Sequence, residues 1–227
     1  MELKRNTLAS LVLIASGLSL SAHAADSFNI NVTGVISPAA CEANITGGET
    51  IDYGTIPAST LNADAVTLLP AKQTAFTITC DAPAKLGLRT VDNRAASKMP
   101  AGSSITMDTG TPWGPSTLNG LGVDGQGNNI GGWSAELGNL TSDTVPAPDI
   151  INSINEGINW SKSPYGHLIL RLHTFQTISE AGTLIPAAFS TLTGTLNVQA
   201  VINPASTLDL SQPVTLDGSV TVEMVYL

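Results

Sequence analysis

Cys41 and Cys80 are the residues of this 227-residue chain best equipped for covalent chemistry, and they are its only two cysteines. Such a pair can form a disulfide, stay as two free thiols, or supply half of a metal site. The last is weak, because no Cys-x-x-Cys and no nearby histidine completes a ligand set. His167 and His173 lie six residues apart on what reads as the outward face of one strand. That places them roughly 20 Å apart at about 3.3 Å per residue, too far to share an ion. Gly132-Trp-Ser-Ala-Glu136 begins like a nucleophile elbow but has glutamate where the second glycine belongs. Asp124-Gly-Gln-Gly-Asn-Asn129 faintly resembles a calcium loop. It lacks the central glycine, Ala135 stands at the closing glutamate position, and it reads as a turn. The remaining carboxylates are scattered. The sequence therefore predicts no enzyme, no catalytic residues, no cofactor and no metal.

The elements that carry these residues begin with a leader. Lys4 and Arg5 precede an apolar run from Leu8 to Leu20, and Ala22-His23-Ala24 closes it before Ala25. This is the pattern of a cleaved secretory signal over residues 1–24, and the run is too short to span a bilayer. Export selects among the cysteine alternatives: an even pair in an oxidising compartment reads as a disulfide. Closing a loop across the 39-residue separation would stabilise the fold by about 3 to 4 kcal/mol on the chain-entropy account.

Composition excludes other classes. Charged residues are 12% of the chain, against about 25% in typical soluble domains. Loss of Glu2, Lys4 and Arg5 with the leader moves the formal charge from −9 to −10. Nucleic-acid binding needs clustered Lys and Arg and is not expected. No other segment is apolar enough to be a membrane span. The 203 residues after the leader suit one large domain.

Within that domain period-two alternation recurs. Phe76, Ile78 and Cys80 share one face of a strand from Thr74 to Cys80, with Thr77 and Thr79 opposite. Further strands are expected over Thr50 to Tyr53, Lys85 to Val91, Ser103 to Met107, Gly166 to Thr174 and Thr191 to Ile202. In the last, Leu192, Leu196, Val198, Ala200 and Ile202 point inward, and Thr193, Thr195, Asn197 and Gln199 toward water. Ile150, Ile151, Ile154 and Ile158 recur at helical spacing, which allows a short helix between Ser142 and Ser163. Residues 95–164 are rich in Gly, Asn, Ser and Pro and hold Trp113, Trp133 and Trp160, so they read as long loops and short strands inserted in the sandwich. The tryptophans could form a platform for sugars or partners; core filling beneath the loops is the favoured reading.

Two strands remain at the ends. Phe28, Ile30, Val32, Gly34 and Ile36 alternate with Asn29, Asn31 and Thr33. Burying Phe28, Ile30 and Val32 is worth roughly 5 to 9 kcal/mol, so a solvated tail is not expected. Gly34 marks a place where another backbone could approach closely. Val220, Val222, Met224 and Tyr226 share one face of a final strand whose edge no later strand pairs. An open edge is either protected or used.

A cleaved signal, an alternating N-terminal strand with a glycine, Val35-Ile-Ser-Pro-Ala-Ala-Cys41, a strand ending in Cys80 and an alternating C-terminal strand with penultimate Tyr226 occur here in that order. In that order they resemble the fimbrial (pilus) subunits of the bacterial chaperone-usher pathway, and a fimbrial-like branch of that family most closely. The resemblance covers both ends and about a quarter of the exported chain; the 95–164 region has no counterpart in it.

The resemblance implies an all-β, immunoglobulin-like antiparallel sandwich that lacks its last strand. Residues 25–40 would be an N-terminal extension and residues 41–227 the pilin-like domain. A periplasmic chaperone fills the resulting groove first. At the outer-membrane usher, the extension of the neighbouring pilus subunit replaces it, a form of β-augmentation. Carried over by position, Phe28, Ile30, Val32 and Gly34 are the donated side chains, and Val220, Val222, Met224 and Tyr226 form the groove strand. The expected product is a surface fimbrium of a Gram-negative bacterium that contributes to cell adhesion. The alternative is a monomeric secreted sandwich whose own sheet takes up the Phe28 strand and whose long loops bind a glycan or surface partner.

Overall fold

The computed structural model describes residues 31–35, 39–170 and 174–227. The chain divides into two compact units, Met1–Ser37 and Pro38–Leu227. In the first unit residues 31–35 form neither strand nor helix, and Val32 is exposed. Phe28 and Ile30 lie outside the described residues.

The second unit is built from short and long strands. In chain order they are β1 (Cys41–Ile45), β2 (Thr67–Leu68), β3 (Lys72–Asp92), β4 (Ile105–Thr106), β5 (Pro112–Trp113), β6 (Asn119–Gly120) and β7 (Gly131–Ser142). Then follow β8 (Asp149–Ser153), β9 (Ser161–Lys162), β10 (Leu168–Ile169), β11 (Phe175–Ser179), β12 (Ala188–Ile202) and β13 (Val220–Tyr226). Eleven of them make one sheet along the path β10-β7-β12-β3-β11-β8-β9, with β1 and β13 on β3, β2 on β12 and β6 on β7. Every pairing is antiparallel. The sheet curls into a half-barrel or sandwich, so the expected all-β, immunoglobulin-like antiparallel class is the one found. β4 and β5 pair separately.

β3 is the spine. The two strands expected at Thr74–Cys80 and Lys85–Val91 are one strand of 21 residues. Its first part pairs with β1 and β12, its second with β13 and β11. Pro83 falls where partners change, and the β12 register shifts there between Phe189 and Thr191. A proline is tolerated at such an irregularity because no ladder hydrogen bond is needed. Cys41 lies directly opposite Cys80 in the β1–β3 register, and the two form a disulfide with a Cα–Cα distance of 4.0 Å. The main core packs Ile78, Leu86, Leu137, Ile178, Phe189 and Leu192, among others.

Several local expectations are corrected. No helix reaches seven residues among the described residues. Ile150 and Ile151 belong to β8, and Ile154 and Ile158 project into solvent beyond it. Thr50–Tyr53 forms no strand. Instead the Tyr53 hydroxyl donates to the Val198 carbonyl (3.2 Å) and accepts from the Ala200 N–H (3.1 Å), at the place where β12 passes from β3 to β2 as its partner. Ser103–Met107 contracts to the dipeptide strand β4, and among the described residues of Gly166–Thr174 only Leu168–Ile169, β10, is strand.

The largest correction concerns residues 95–164. β7 lies within them and sits inside the sheet between β10 and β12. The loops before it fold over the far face of β12, where Met99, Ile105, Met107, Trp113 and Leu118 enclose Val201 in a second core. Gln199, expected to face water, is therefore buried. Its Oε1 accepts the Asp108 N–H (2.8 Å) and its Nε2 donates to the Leu69 carbonyl (2.9 Å).

Candidate functional site

The register of β13 against β3 sets Tyr226 opposite Leu86, Met224 opposite Leu88, Val222 opposite Thr90 and Val220 opposite Asp92. Directly opposed residues in an antiparallel pair share a face. The four β3 residues are covered, at 2, 4, 3 and 7% exposure. Their neighbours on the same face are not, since Val222 is 39% exposed and Tyr226 48%. Met224 packs against the main core and is only partly buried. The inward face of the sheet thus loses its cover one strand before its edge.

The same face continues along β1. Cys41, Ala43 and Ile45 oppose Cys80, Ile78 and Phe76, and Ala43 is exposed although Ile78 beside it is buried. A hydrogen bond joins the two edge strands: the Cys41 N–H donates to the Tyr226 hydroxyl (3.1 Å). The opposite face is ordinary surface, where Arg89 and Glu223 form an ion pair. Among the described residues β13 pairs only with β3, so its other row of N–H and C=O groups has no strand partner. That row can hydrogen-bond an added strand, and the half-covered side chains can take up alternate apolar groups from it.

Of the residues expected to act at such a site, Val220, Val222, Met224 and Tyr226 are gathered on one face. Val32 and Gly34 lie in the irregular stretch 31–35. The contribution of β1 was missed, although Cys41-Glu-Ala-Asn-Ile45 alternates in the same way as β13.

The polar clusters have other work. His167, expected on the surface, is largely covered, and its Nε2 lies 3.1 Å from Glu136 Oε2 and 2.6 Å from Thr111 Oγ1. Glu136 is fully buried, and its Oε1 accepts the Trp113 indole N–H at 2.8 Å. A nucleophile relay needs hydroxyl and carboxylate on different ring nitrogens. Here both meet one nitrogen and Thr111 is 1% exposed, so the group is a buried knot that ties the loop before β7 to the sheet. His173 lies outside the described residues.

Asp124 sits in the expected turn. Its carboxylate accepts N–H groups from Asp209 (2.7 Å), Gln126 and Asn128 (both 2.9 Å) and the Asn128 amide (2.9 Å). These donors, Asp209 first, hold its carboxyl far below the usual range. Among the described residues no three His, Cys, Asp or Glu side chains are grouped to hold a metal ion, and no helix is long and apolar enough to cross a membrane.

The three tryptophans do not converge. Trp113 fills the second core, and the indole N–H of Trp133 donates to the Gly120 carbonyl at 3.0 Å. Trp160 lines a shallow cavity beside β8 and β9.

Comparison with known proteins finds two distant relatives and a match to a family over less than half of the chain. Over its whole length the chain is 26% identical to Protein GltF of Escherichia coli (strain K12), with all of both chains covered. It is 24% identical to the uncharacterized protein YhcF of the same organism, covering 98% of this chain and all of the relative. Residues 30–134, which run from the N-terminal segment to the start of β7, match the family described as Protein of unknown function (DUF1120).

Proposed function

We propose that the protein is a non-catalytic structural subunit of a chaperone-usher type fimbrium, built by strand donation at the β13 edge and contributing to cell adhesion. The observation that carries the proposal is the uncovered inward face of β13. A sheet that leaves Val222 and Tyr226 half exposed beside fully covered neighbours is short of one strand of apolar side chains. The sequence offers such a row in Phe28, Ile30 and Val32, with Gly34 beyond them.

In this reading a periplasmic chaperone occupies the edge first. The residue 25–40 segment of a neighbouring subunit takes its place at the outer-membrane usher. The subunit then leaves the periplasm for the cell surface. The disulfide fits that route, since it holds β1 against β3 beside the groove in an oxidising compartment.

Deleting residues 26–35 separates donation to a neighbour from pairing within one chain. The proposal expects a variant that still forms the Cys41–Cys80 disulfide and co-purifies with its chaperone. Mixed with wild-type subunits, it should end the ladder of SDS-resistant multimers. Loss of folded protein on deletion, from a wild type that never yields multimers, would identify a secreted monomer that completes its own sheet.

A further inference from the structure

We infer that the loop joining β8 to β9 forms a binding site for a neutral sugar residue, with Trp160 as its platform. This inference stands independently of strand donation. The cavity is about 330 Å³, at the lower end for small-molecule sites, and is lined by Asn152, Ile154, Asn155, Asn159, Trp160 and Ser161.

The three tryptophans differ in what their polar edges do. The indole N–H groups of Trp113 and Trp133 are satisfied inside the protein, by Glu136 and the Gly120 carbonyl. That of Trp160 has no partner among the described residues, and the residue is partly exposed. An aromatic ring with one apolar face and a free donor suits a pyranose, whose C–H face stacks while its hydroxyls hydrogen-bond at the rim.

The loop holds its side chains ready. Ser153 Oγ donates to Asn155 Oδ1 (2.8 Å) and accepts the Gly157 N–H (2.9 Å), and Asn155 Oδ1 also accepts the Asn159 N–H (3.0 Å). Both lone pairs of the Asn155 carbonyl oxygen are thereby used. Its amide N–H donors have no partner among the described residues, and Asn155 is one of the residues that line the cavity. Glu156 and Gly157 both take positive φ, 58° and 85°, and a Cβ on Gly157 would come within 3.4 Å of the Trp160 ring. A non-glycine residue such as Glu156 is strained in that conformation, and such strain concentrates at sites where side-chain placement matters.

The lining also sets the ligand's charge. Amides, one hydroxyl, an isoleucine and an indole surround the cavity, and the nearby Lys162 ammonium is held by Asp149 at 2.8 Å. With no cation in its wall the site has nothing to pair with a carboxylate. It fits a neutral hexose or N-acetylhexosamine rather than a sialic or uronic acid, with Ile154 offering apolar contact to a ring face or an acetamido methyl.

The test uses the full exported protein and follows its three indole N–H resonances during titration with methyl α-mannoside, methyl β-galactoside and chitobiose, with sialyllactose as the charged control. The expected result is millimolar binding of at least one neutral sugar that shifts the Trp160 resonance alone, assigned by its loss in Trp160→Phe. Asn155→Asp keeps the two acceptor contacts of the turn and removes both donors. It should weaken binding at least tenfold, about 1.4 kcal/mol, at unchanged melting temperature, and Trp160→Ala should abolish it. No shift at Trp160 with any neutral sugar, binding that survives Trp160→Ala, or equal binding of sialyllactose would overturn the inference.

Discussion

Glu136 shows how far one side chain's role can depend on residues distant in the chain. In the sequence it is the residue that spoils a nucleophile motif. In the fold its carboxylate receives Trp113 and meets His167 and Thr111, so three segments separated by tens of residues are tied at one buried group. Nothing local announces this, because Glu136 lies in a stretch of Gly, Ser and Ala without clean alternation. Asp124 was easier to read: an aspartate before Gly-Gln-Gly-Asn is a turn signal, and a turn is found. Its backbone donors give a pH prediction. A carboxyl held below its ordinary 3.8 contributes stability that is complete above that value and is lost as pH falls toward the folded value. Asp143, Asp149, Asp209 and Asp217 are also lowered, chiefly by the Thr191 N–H, the Gly182 N–H, Ser211 and Arg94 in turn. Melting temperature should therefore hold from neutral pH down to about pH 4 and fall from there toward about pH 2. Asp124→Asn should lower it at neutral pH and flatten part of the acid limb, as scanning calorimetry across the range would measure. A wild-type melting temperature that does not fall across that range would contradict the assignment.

Among the elements, β3, β12 and β13 were legible because each has at least one stretch where apolar and polar residues alternate. β7 was not. Its positions are buried on both faces, so no polar row marks an outside, and three of its twelve residues are glycine. Close packing requires two of them. A Cβ on Gly131 would lie 1.9 Å from the Val201 carbonyl oxygen, and one on Gly132 would lie 2.8 Å from Leu118 Cβ. At Gly138 the nearest atom would be 3.4 Å away, an ordinary contact. Gly131→Ala should thus destabilise by about 3 kcal/mol or more by forcing β7 away from β12, whereas Gly138→Ala should stay within about 0.5 kcal/mol of wild type. Urea unfolding of the two variants makes the comparison. Equal effects would mean that the β7–β12 approach is looser than the register requires.

At the scale of the second unit, the sheet has a finished side and an unfinished one. The 95–164 region covers the far face of β12 and was unreadable as cover because its contacts are non-local. The unfinished side runs along β13 and β1, where alternation made the groove row readable and only the register revealed that its neighbours on β3 are covered while it is not. If that side lacks a strand, supplying one in the same chain should finish it. Residues 27–36 joined after Leu227 through a short flexible linker can fold back as a hairpin on β13, so that Phe28, Ile30 and Val32 meet the face of Val222, Met224 and Tyr226. Their burial is worth at least about 5 kcal/mol, the lower end of the range given above, before the entropy of ordering the added strand. Even half of it would raise the melting temperature by about 5 to 10 °C in a domain of this size. Gly34→Arg in the appended copy should remove much of the gain by forcing a charge against the acceptor backbone. A scrambled copy of the same composition should give none. An authentic copy that raises the melting temperature no more than the scrambled one would show that the open face of β13 does not accept this strand, and strand donation at that edge would have to be abandoned.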